Sequence, residues 1–311
     1  MHALFMADYI IKYLFFFRIH GMDWVLLSLA SAFFLATSDA LAKRAVQGEN
    51  EYLVAWFRLL FTLPVLIITL VLTPWPELDK DFYTAFIIAL PVELITIVLY
   101  VKALKLSPLS LTVPFLALTP VFLVSVSYVL LGEEVSPAGA AGILLIAAGG
   151  YILNIHTLGK GLWEPFRSIV REKGALLMIG VALLYSITSS MGKMAITHSS
   201  SLFFGATYFI ALNIAFIPIA VWKGRSVLRD FVERGKFMSL IFPGLFYALM
   251  IITHMEAMKL TKVAYMISAK RTSLLISVLY GYYLFQEENI RGRFLGALLM
   301  FAGFVLVANA K

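Results

Sequence analysis

The stretch Val263–Leu284, VAYMISAKRTSLLISVLYGYYL, constrains this chain more than any other. It is long and apolar enough to cross a bilayer, since about 20 apolar residues rising 1.5 Å each cover a ~30 Å hydrocarbon core. Yet Lys270 and Arg271 stand seven and eight residues after Val263. At the bilayer centre each such charge costs at least ~2.5–3.5 kcal/mol on insertion scales. Two adjacent cations persist there only where protein, water or an anion faces them, so the pair marks a site.

The remaining sequence has the same character. Of 311 residues, 61% are hydrophobic and 14% charged, and the mean hydropathy is +0.91, far above what a soluble domain needs. A net charge of +7 is compatible with nucleic-acid binding, but the basic residues lie singly in short connections between apolar runs. That distribution is what membrane loops carry, and no nucleic-acid partner is expected. The absence of Cys excludes disulfides, thiol catalysis and Cys-ligated zinc. No GxxxxGK[ST] phosphate-binding loop occurs, so ATP-driven transport has no engine in this chain.

Ten apolar segments are expected at 24–43, 52–73, 83–101, 108–131, 137–155, 175–196, 202–222, 238–257, 263–284 and 292–309. Turn signals mark the joints: Thr73-Pro-Trp-Pro76, Ser107-Pro108, and Ser136-Pro137 as N-cap with proline at the first helical position. The two longest connections, 156–174 and 223–237, are basic and read as short interfacial helices. Residues 1–21 form an extension broken by Lys12, without a cleavage site. It reads as an interfacial segment or as a stretch preceding a natural start at Met22.

The halves repeat. Shifting by 154 residues aligns ALKLSPLSLTVP from Ala103 with AMKLTKVAYMIS from Ala257, and pairs Glu133/Glu287, Glu134/Glu288, Gly142/Gly296 and Gly149/Gly303. Shifting by 150 near the start of each half pairs Lys43 with Lys193. The fold expected is therefore an all-α membrane protein of ten transmembrane helices in two repeats, residues 22–155 and 175–311, joined by a linker at 156–174. Each repeat has five spans, an odd number, so the second is inserted upside-down. Inverted repeats typify secondary transporters, whose site lies near mid-membrane at the repeat interface. Cations are more numerous in the connections on the side opposite the termini, which by the positive-inside rule places the termini outside.

The block ALKLSPLSLTVPFLALTPVFLVSVSYVLLGEE, its echo ending in LFQEE, and the Lys late in the first helix of each half resemble the drug/metabolite transporter superfamily, in its EamA-type ten-helix branch. The resemblance covers residues 22–310. It implies an exporter or exchanger of small metabolites, a central cavity lined by both halves, and cytoplasmic termini, against the charge count. The Lys270-Arg271 pair is also similar to the ninth-helix Lys-Arg of sugar-phosphate and nucleotide-sugar transporters. There the pair grips phosphate with help from an eighth-helix tyrosine, which here implies Tyr247. Those proteins add a fourth-helix lysine that this chain lacks, leaving Lys43 or Lys193 to substitute.

The candidates each carry a plainer alternative. On a continuous helix Lys270 and Arg271 diverge by about 100°, so one lines the cavity while the other pairs or snorkels. Lys43 and Lys193 line the cavity or reach the interface. Asp39, one turn before Lys43, has the spacing of a helical salt bridge. Arg58 and Glu93 are deep enough to form a structural pair, or Glu93 is a protonatable coupling site. His254 reads as a hydrogen-bonded cavity histidine or proton relay; no second His or carboxylate stands at ligand spacing, so no metal is expected. Glu133-Glu134 and Glu287-Glu288 read as helix N-terminal charges. Thr37, Ser38, Ser186, Thr188, Ser189 and Ser190 offer hydroxyls to a solute or to neighbouring helices. Gly139, Gly142, Gly149, Gly150, Gly292 and Gly296 allow close packing of the fifth and tenth spans, or a homodimer through them.

Deep cations (Lys43, Arg58, Lys193, Lys270, Arg271) outnumber deep anions (Asp39, Glu93) by three, which favours an anionic or zwitterionic solute. The function expected is alternating-access transport of such a metabolite, without cofactor and without catalysis, from a bacterial or archaeal plasma membrane. The rivals are a proton-coupled exporter of amino acids or xenobiotics, and a channel or scramblase. An intramembrane enzyme would need a nucleophile or metal constellation such as HExxH, and none occurs.

Overall fold

The computed structural model describes residues 23–45, 48–107, 113–154, 173–285 and 294–310. The extension 1–21, most of the linker 156–174, the Ser107-Pro108 joint beyond Ser107, Glu287-Glu288 and Gly292 lie outside them. Regular structure among the described residues is helical: α1 Asp23–Ala45, α2 Glu51–Leu60, α3 Leu63–Leu72, α4 Lys80–Leu106, α5 Thr119–Leu131, α6 Pro137–Asn154, α7 Lys173–Thr197, α8 Ser201–Gly224, α9 Leu228–Glu233, α10 Ile241–Leu260, α11 Val263–Lys270, α12 Ser273–Phe285 and α13 Phe294–Ala308. Two 3-10 turns, Val113–Leu118 and Lys236–Leu240, lead into α5 and α10.

Local chemistry explains the starts. Asn50 accepts from the Tyr52 and Leu53 amides to cap α2, Ser200 accepts from Phe203 to cap α8, and Asp79 accepts from Phe82 to cap α4. Six stretches are long and apolar enough to cross a membrane: Asp23–Arg44, Glu51–Leu72, Lys80–Ala103, Lys173–Thr197, Ser201–Gly224 and Lys236–Leu260. Shorter apolar helices run over Phe115–Leu131, Pro137–Leu153 and Phe294–Ala308. Large apolar side chains such as Val71, Ile87, Val129 and Phe294 point outward, a surface that suits lipid and not water. This is an integral multi-pass membrane protein.

The packing has a reciprocal order. Helix α1 packs on α10, and α7, its counterpart in the second half, packs on α4, the counterpart of α10. Helix α6 lies on α13, and α8 lies on α2 and α3. The glycines show the relation at atomic scale. A methyl group on Gly142 would sit 2.7 Å from the Gly303 carbonyl oxygen, and one on Gly149 would sit 2.6 Å from that of Gly296. Since Gly142 corresponds to Gly296 and Gly149 to Gly303, each contact is the image of the other. That self-complementarity is the mark of two-fold symmetry. It also requires α6 and α13 to run antiparallel. These glycines are therefore used for close approach within the chain, and so is Gly139, whose neighbour is the Tyr265 ring.

Three of the expected spans are not continuous helices. The second breaks at Phe61–Thr62 between α2 and α3, and the ninth at Arg271–Thr272 between α11 and α12. The fourth enters α5 through the 3-10 turn Val113–Leu118. By the 154-residue offset the fourth and ninth breaks coincide, and the helices that follow, α5 and α12, are each 13 residues long. Pro91 lies inside an unbroken α4. The segment 223–237 holds the short α9, whose buried Phe231 packs against Leu53 and Phe57 of α2.

Candidate functional site

Glu93 is the central residue of the 27-residue α4, and Tyr185 that of the 25-residue α7. Around this midplane gather Asp39 of α1, Arg58 of α2, Tyr100 of α4, Tyr247 and His254 of α10, and Lys270 and Arg271 at the break of the ninth span. The side chains lie within electrostatic reach of one another. Apart from the buried His254 and the exposed Asp39, they are half-buried, although they sit in the middle of the bundle. Their polar groups thus keep some accessible surface within the bundle.

The contacts within it are specific. Arg58 donates from Nη1 to Asp39 Oδ1 at 2.5 Å and lies over the Tyr247 ring, 4.4 Å from its centroid. The pair expected between Arg58 and Glu93 is therefore not formed, and Asp39 turns to Arg58 across helices instead of bonding Lys43 along its own. Glu93 is hydrogen-bonded by Thr188 and lies within reach of the Lys270 charge. Lys270 Nζ is 3.0 Å from His254 Nδ1 and 3.8 Å from Met250 Sδ, so His254 meets a lysine. Thr37 and Tyr280 share a 2.8 Å hydrogen bond beside the cluster.

Arg271 is different. Its Nε is buried without a partner, and among the described residues the ionisable groups within its reach are the neighbouring Lys270 and the phenols of Tyr185 and Tyr100, with no carboxylate among them. Arg271 caps α11 in right-handed helical conformation, its amide still bonded to the Ile267 carbonyl, while Thr272 Oγ1 donates to the Ala269 carbonyl at 2.8 Å. The break follows Arg271, so the two side chains leave α11 in different directions, Lys270 toward His254 and Arg271 toward Tyr100 and Tyr185.

Two expected cations sit elsewhere. Lys193 Nζ donates to the carbonyls of Met258 (2.5 Å), Thr261 (3.0 Å) and Lys259 (3.3 Å), so it caps the C-terminus of α10. Lys43 is exposed in the last turn of α1. With these two outside and with Asp39 on Arg58 and Glu93 near Lys270, the excess of three positive charges falls to one, Arg271.

The repeat offset relates residues that the sequence left unconnected. Glu93 corresponds to Tyr247, Tyr100 to His254, Arg58 to Tyr208 and Asp39 to Ser189. The cluster is thus built from two symmetry-related sets of positions with different chemistry. Applying the 154-residue offset to Glu93 would have found Tyr247 without analogy, and applying it to His254 would have found Tyr100. Tyr185 carries no such signal.

The two ends of the bundle differ. At one end, Glu133 accepts from the Val263 amide at 2.8 Å, the Ser136 amide donates to the Tyr265 hydroxyl at 3.0 Å, and Ser201 donates to Glu256. Glu133 thus serves the N-terminus of α11 in the other half, not that of its own following helix, and burial pushes its carboxyl up against the opposing pull of that amide. His198 Nδ1 lies 2.6 Å from Asp79, with its Nε2 3.9 Å from Asp81. Asp79 is held below the usual carboxylate range, first by the Phe82 amide and then by His198. Three potential ligand groups thus meet on the surface where none was expected, as a hydrogen-bonded contact between the start of α4 and the end of α7. Beneath it lies a dense layer including Phe82, Met191, Phe203, Phe204, Met255, Met258 and Met266. Asp39 and Arg58, by contrast, lie toward the opposite end, where Glu49 meets Arg234 (3.6 Å) and Lys236 (3.9 Å).

The sequence model of the EamA-like transporter family matches residues 22–155 and again 172–309. One crystal structure of a protein shares the fold, with a TM-score of 0.71 over 92% of this chain and 96% of that one, at 17% identity. No curated protein matches the chain. Two family matches that together span nearly all of a helical membrane protein leave one conclusion: the chain belongs to the EamA-like transporter family, membrane transporters of small solutes within the drug/metabolite transporter superfamily.

Proposed function

We propose that this protein is a secondary transporter, not an enzyme, that moves a small organic metabolite bearing an anionic group, as an anion or zwitterion, by alternating access. Its ten membrane crossings would form two inverted five-helix repeats, 22–155 and 175–311, joined by 156–174. Antiparallel α6 and α13, with image-related glycine contacts, support the inversion. The observation that carries the substrate reading is Arg271: a guanidinium at a mid-span helix break, with a buried Nε lacking a partner and phenols in place of a carboxylate. Broken helices at corresponding positions of two repeats are where transporters of this kind bind their cargo.

In this reading Arg271 takes the anionic group, Tyr100, Tyr185 and Tyr247 hold the body of the solute, and Lys270 sets the local field. Glu93, with His254 through Lys270, provides coupling, and Asp39 and Arg58 gate the route. Lys193 and Lys43 serve the scaffold. The packed end around Phe204 and Met258 is the closed side of the cycle, and the end near Asp39 the open one. A bacterial or archaeal plasma membrane remains the expected location. A homodimer through the fifth and tenth spans would have to use their outward faces, because the glycines already face one another.

The test is countertransport in proteoliposomes, with candidate solutes first chosen by thermal stabilisation of the purified protein. Uptake accelerated by unlabelled solute inside, and lost in Arg271→Ala, is the expected result. Flux without trans-acceleration would mean a channel or scramblase. A second reading, proton-coupled export of amino acids or xenobiotics, draws on Glu93 at the midplane between Thr188 and the Lys270 charge. It predicts that Glu93→Gln abolishes the pH dependence of flux.

A further inference from the structure

Among the described residues the cluster holds two guanidinium groups, and the phenol of Tyr100 is within electrostatic reach of both. Of these two, Arg271 has no carboxylate partner. Arg271 faces tyrosines, whereas Arg58 is engaged by Asp39 at 2.5 Å and stacked on Tyr247. Nothing in the architecture demands that ion pair: the corresponding positions of the second repeat are Ser189 and Tyr208, neither charged. Nor is the pair sealed into the core. The Asp39 side chain keeps 53% of its exposure and that of Arg58 keeps 23%. A carboxylate tethered to one helix, holding a cation of the next from its accessible side, is placed as a solute's own carboxylate would be.

We propose that Asp39 is a specificity-determining residue that limits the number of negative groups on the solute, acting as a built-in counter-ion that occupies Arg58 and leaves Arg271 as the one anion subsite. This rests on the anionic-solute reading above and goes further, since it predicts preference for a solute with one anionic group over its two-anion analogue. In the wild-type cavity a second carboxylate meets Asp39, which repels it, and an Arg58 that is already satisfied. Without the Asp39 charge, Arg58 becomes a second anion subsite across Tyr100 from the first. Charge pairing in a site of low dielectric is strong enough for one residue to decide such a preference.

The experiment titrates the purified full chain, at constant ionic strength and pH 7.5, with two matched pairs of probes: butyrate and succinate, benzoate and phthalate. Apparent affinities come from thermal stabilisation. The wild type is expected to prefer the monoanion of each pair. In Asp39→Asn the preference should move at least about tenfold toward the dianion. Asp39→Ser, which copies the other repeat, should do the same and guards against a defect peculiar to asparagine. Adding Arg58→Gln to Asp39→Asn should return the ratio to the wild-type value, as a coupled pair requires. A ratio that changes less than threefold in both single variants overturns the proposal, as does a shift that survives loss of Arg58. If wild-type stabilisation by monoanions disappears in Arg271→Ala while the Asp39 variants leave the ratio unmoved, this inference fails and the anion site stands. If no probe stabilises the wild type, both fall.

Discussion

The fourth and ninth spans are interrupted at corresponding positions and carry different chemistry there. Each breaks at the same point of its repeat, and each then continues as a 13-residue helix, α5 or α12. Each break is bridged by a threonine hydroxyl donating back three residues, Thr119 to the Leu116 carbonyl at 2.9 Å and Thr272 to that of Ala269 at 2.8 Å. At the break itself the first repeat has Leu116 and Ala117, and the second has Lys270 and Arg271. Ala117 is buried, whereas both cations are half-exposed in the interior. An interrupted helix thus belongs to the architecture and is kept in both halves. The charge belongs to one half and is what needs a functional explanation, because a membrane interior penalises it and the fold does not require it.

That contrast is broken most directly at the two kinks. Arg271→Ala should lower solute exchange at least about 100-fold, the equivalent of ~2.7 kcal/mol of lost stabilisation, while Leu116→Met at the matching kink stays within about twofold. Both are read as initial countertransport rates. Equal losses at the two sites would mean that the kink, and not its charge, carries the activity. Glu93→Gln tests the pseudo-symmetric pair formed by Glu93 and Tyr247. Rates should fall, and on the proton-coupled reading the pH profile should flatten. An unchanged pH profile would confine Glu93 to a structural contact with Thr188.

Much of this was legible in the chain itself. The duplicated blocks gave the two-repeat plan, and charges inside apolar runs pointed to Glu93, Lys270 and Arg271, because hydrocarbon tolerates no idle ions. What one-dimensional spacing could not decide was pairing. Asp39 has Lys43 one turn away and Arg58 nineteen residues away, and it is the second that it meets. Lys43 and Lys193 occupy equivalent places, yet Lys193 reaches the open carbonyls that end α10 while Lys43 stays exposed. Depth along a helix also misled the charge count, since a lysine near a helix end can snorkel or cap and leave the cavity altogether. Two of the breaks carry a proline at the start of the helix that follows, Pro64 in α3 and Pro120 in α5, whereas the ninth has neither glycine nor proline to announce it.

Smaller effects follow from the scaffold, and these sharpen the comparison by leaving the site alone. Gly149→Ala places a methyl group 2.6 Å from the Gly296 carbonyl oxygen, against backbone that cannot swing aside. Overpacking of this kind costs about 1–3 kcal/mol, and Gly142→Ala, facing Gly303 in the image contact, should cost a similar amount. A large difference between the two in thermal midpoint would argue against the two-fold relation. Lys193→Met should cost on the order of 1 kcal/mol as a lost cap and leave solute-induced stabilisation intact. Loss of the solute response there would return Lys193 to the binding site.

The smallest effect distinguishes the two ends of the bundle. At one end a histidine holds aspartates, His198 with Asp79 and Asp81; at the other a glutamate holds Arg234 and Lys236. The polarity is reversed between contacts that join corresponding helices of the two repeats. Because the Asp79 carboxyl is held below the usual range, its ionised form is the one that folding favours. Its contribution is then fully present above the ordinary aspartate value of about 3.9 and is lost as pH falls through the depressed one. Asp79→Asn keeps a good N-cap for α4 and removes only the charge. The variant should therefore melt below the wild type at pH 7, with the gap closing in strong acid. A gap that is the same at pH 7 and pH 3 would mean that the Asp79 charge contributes nothing at this end.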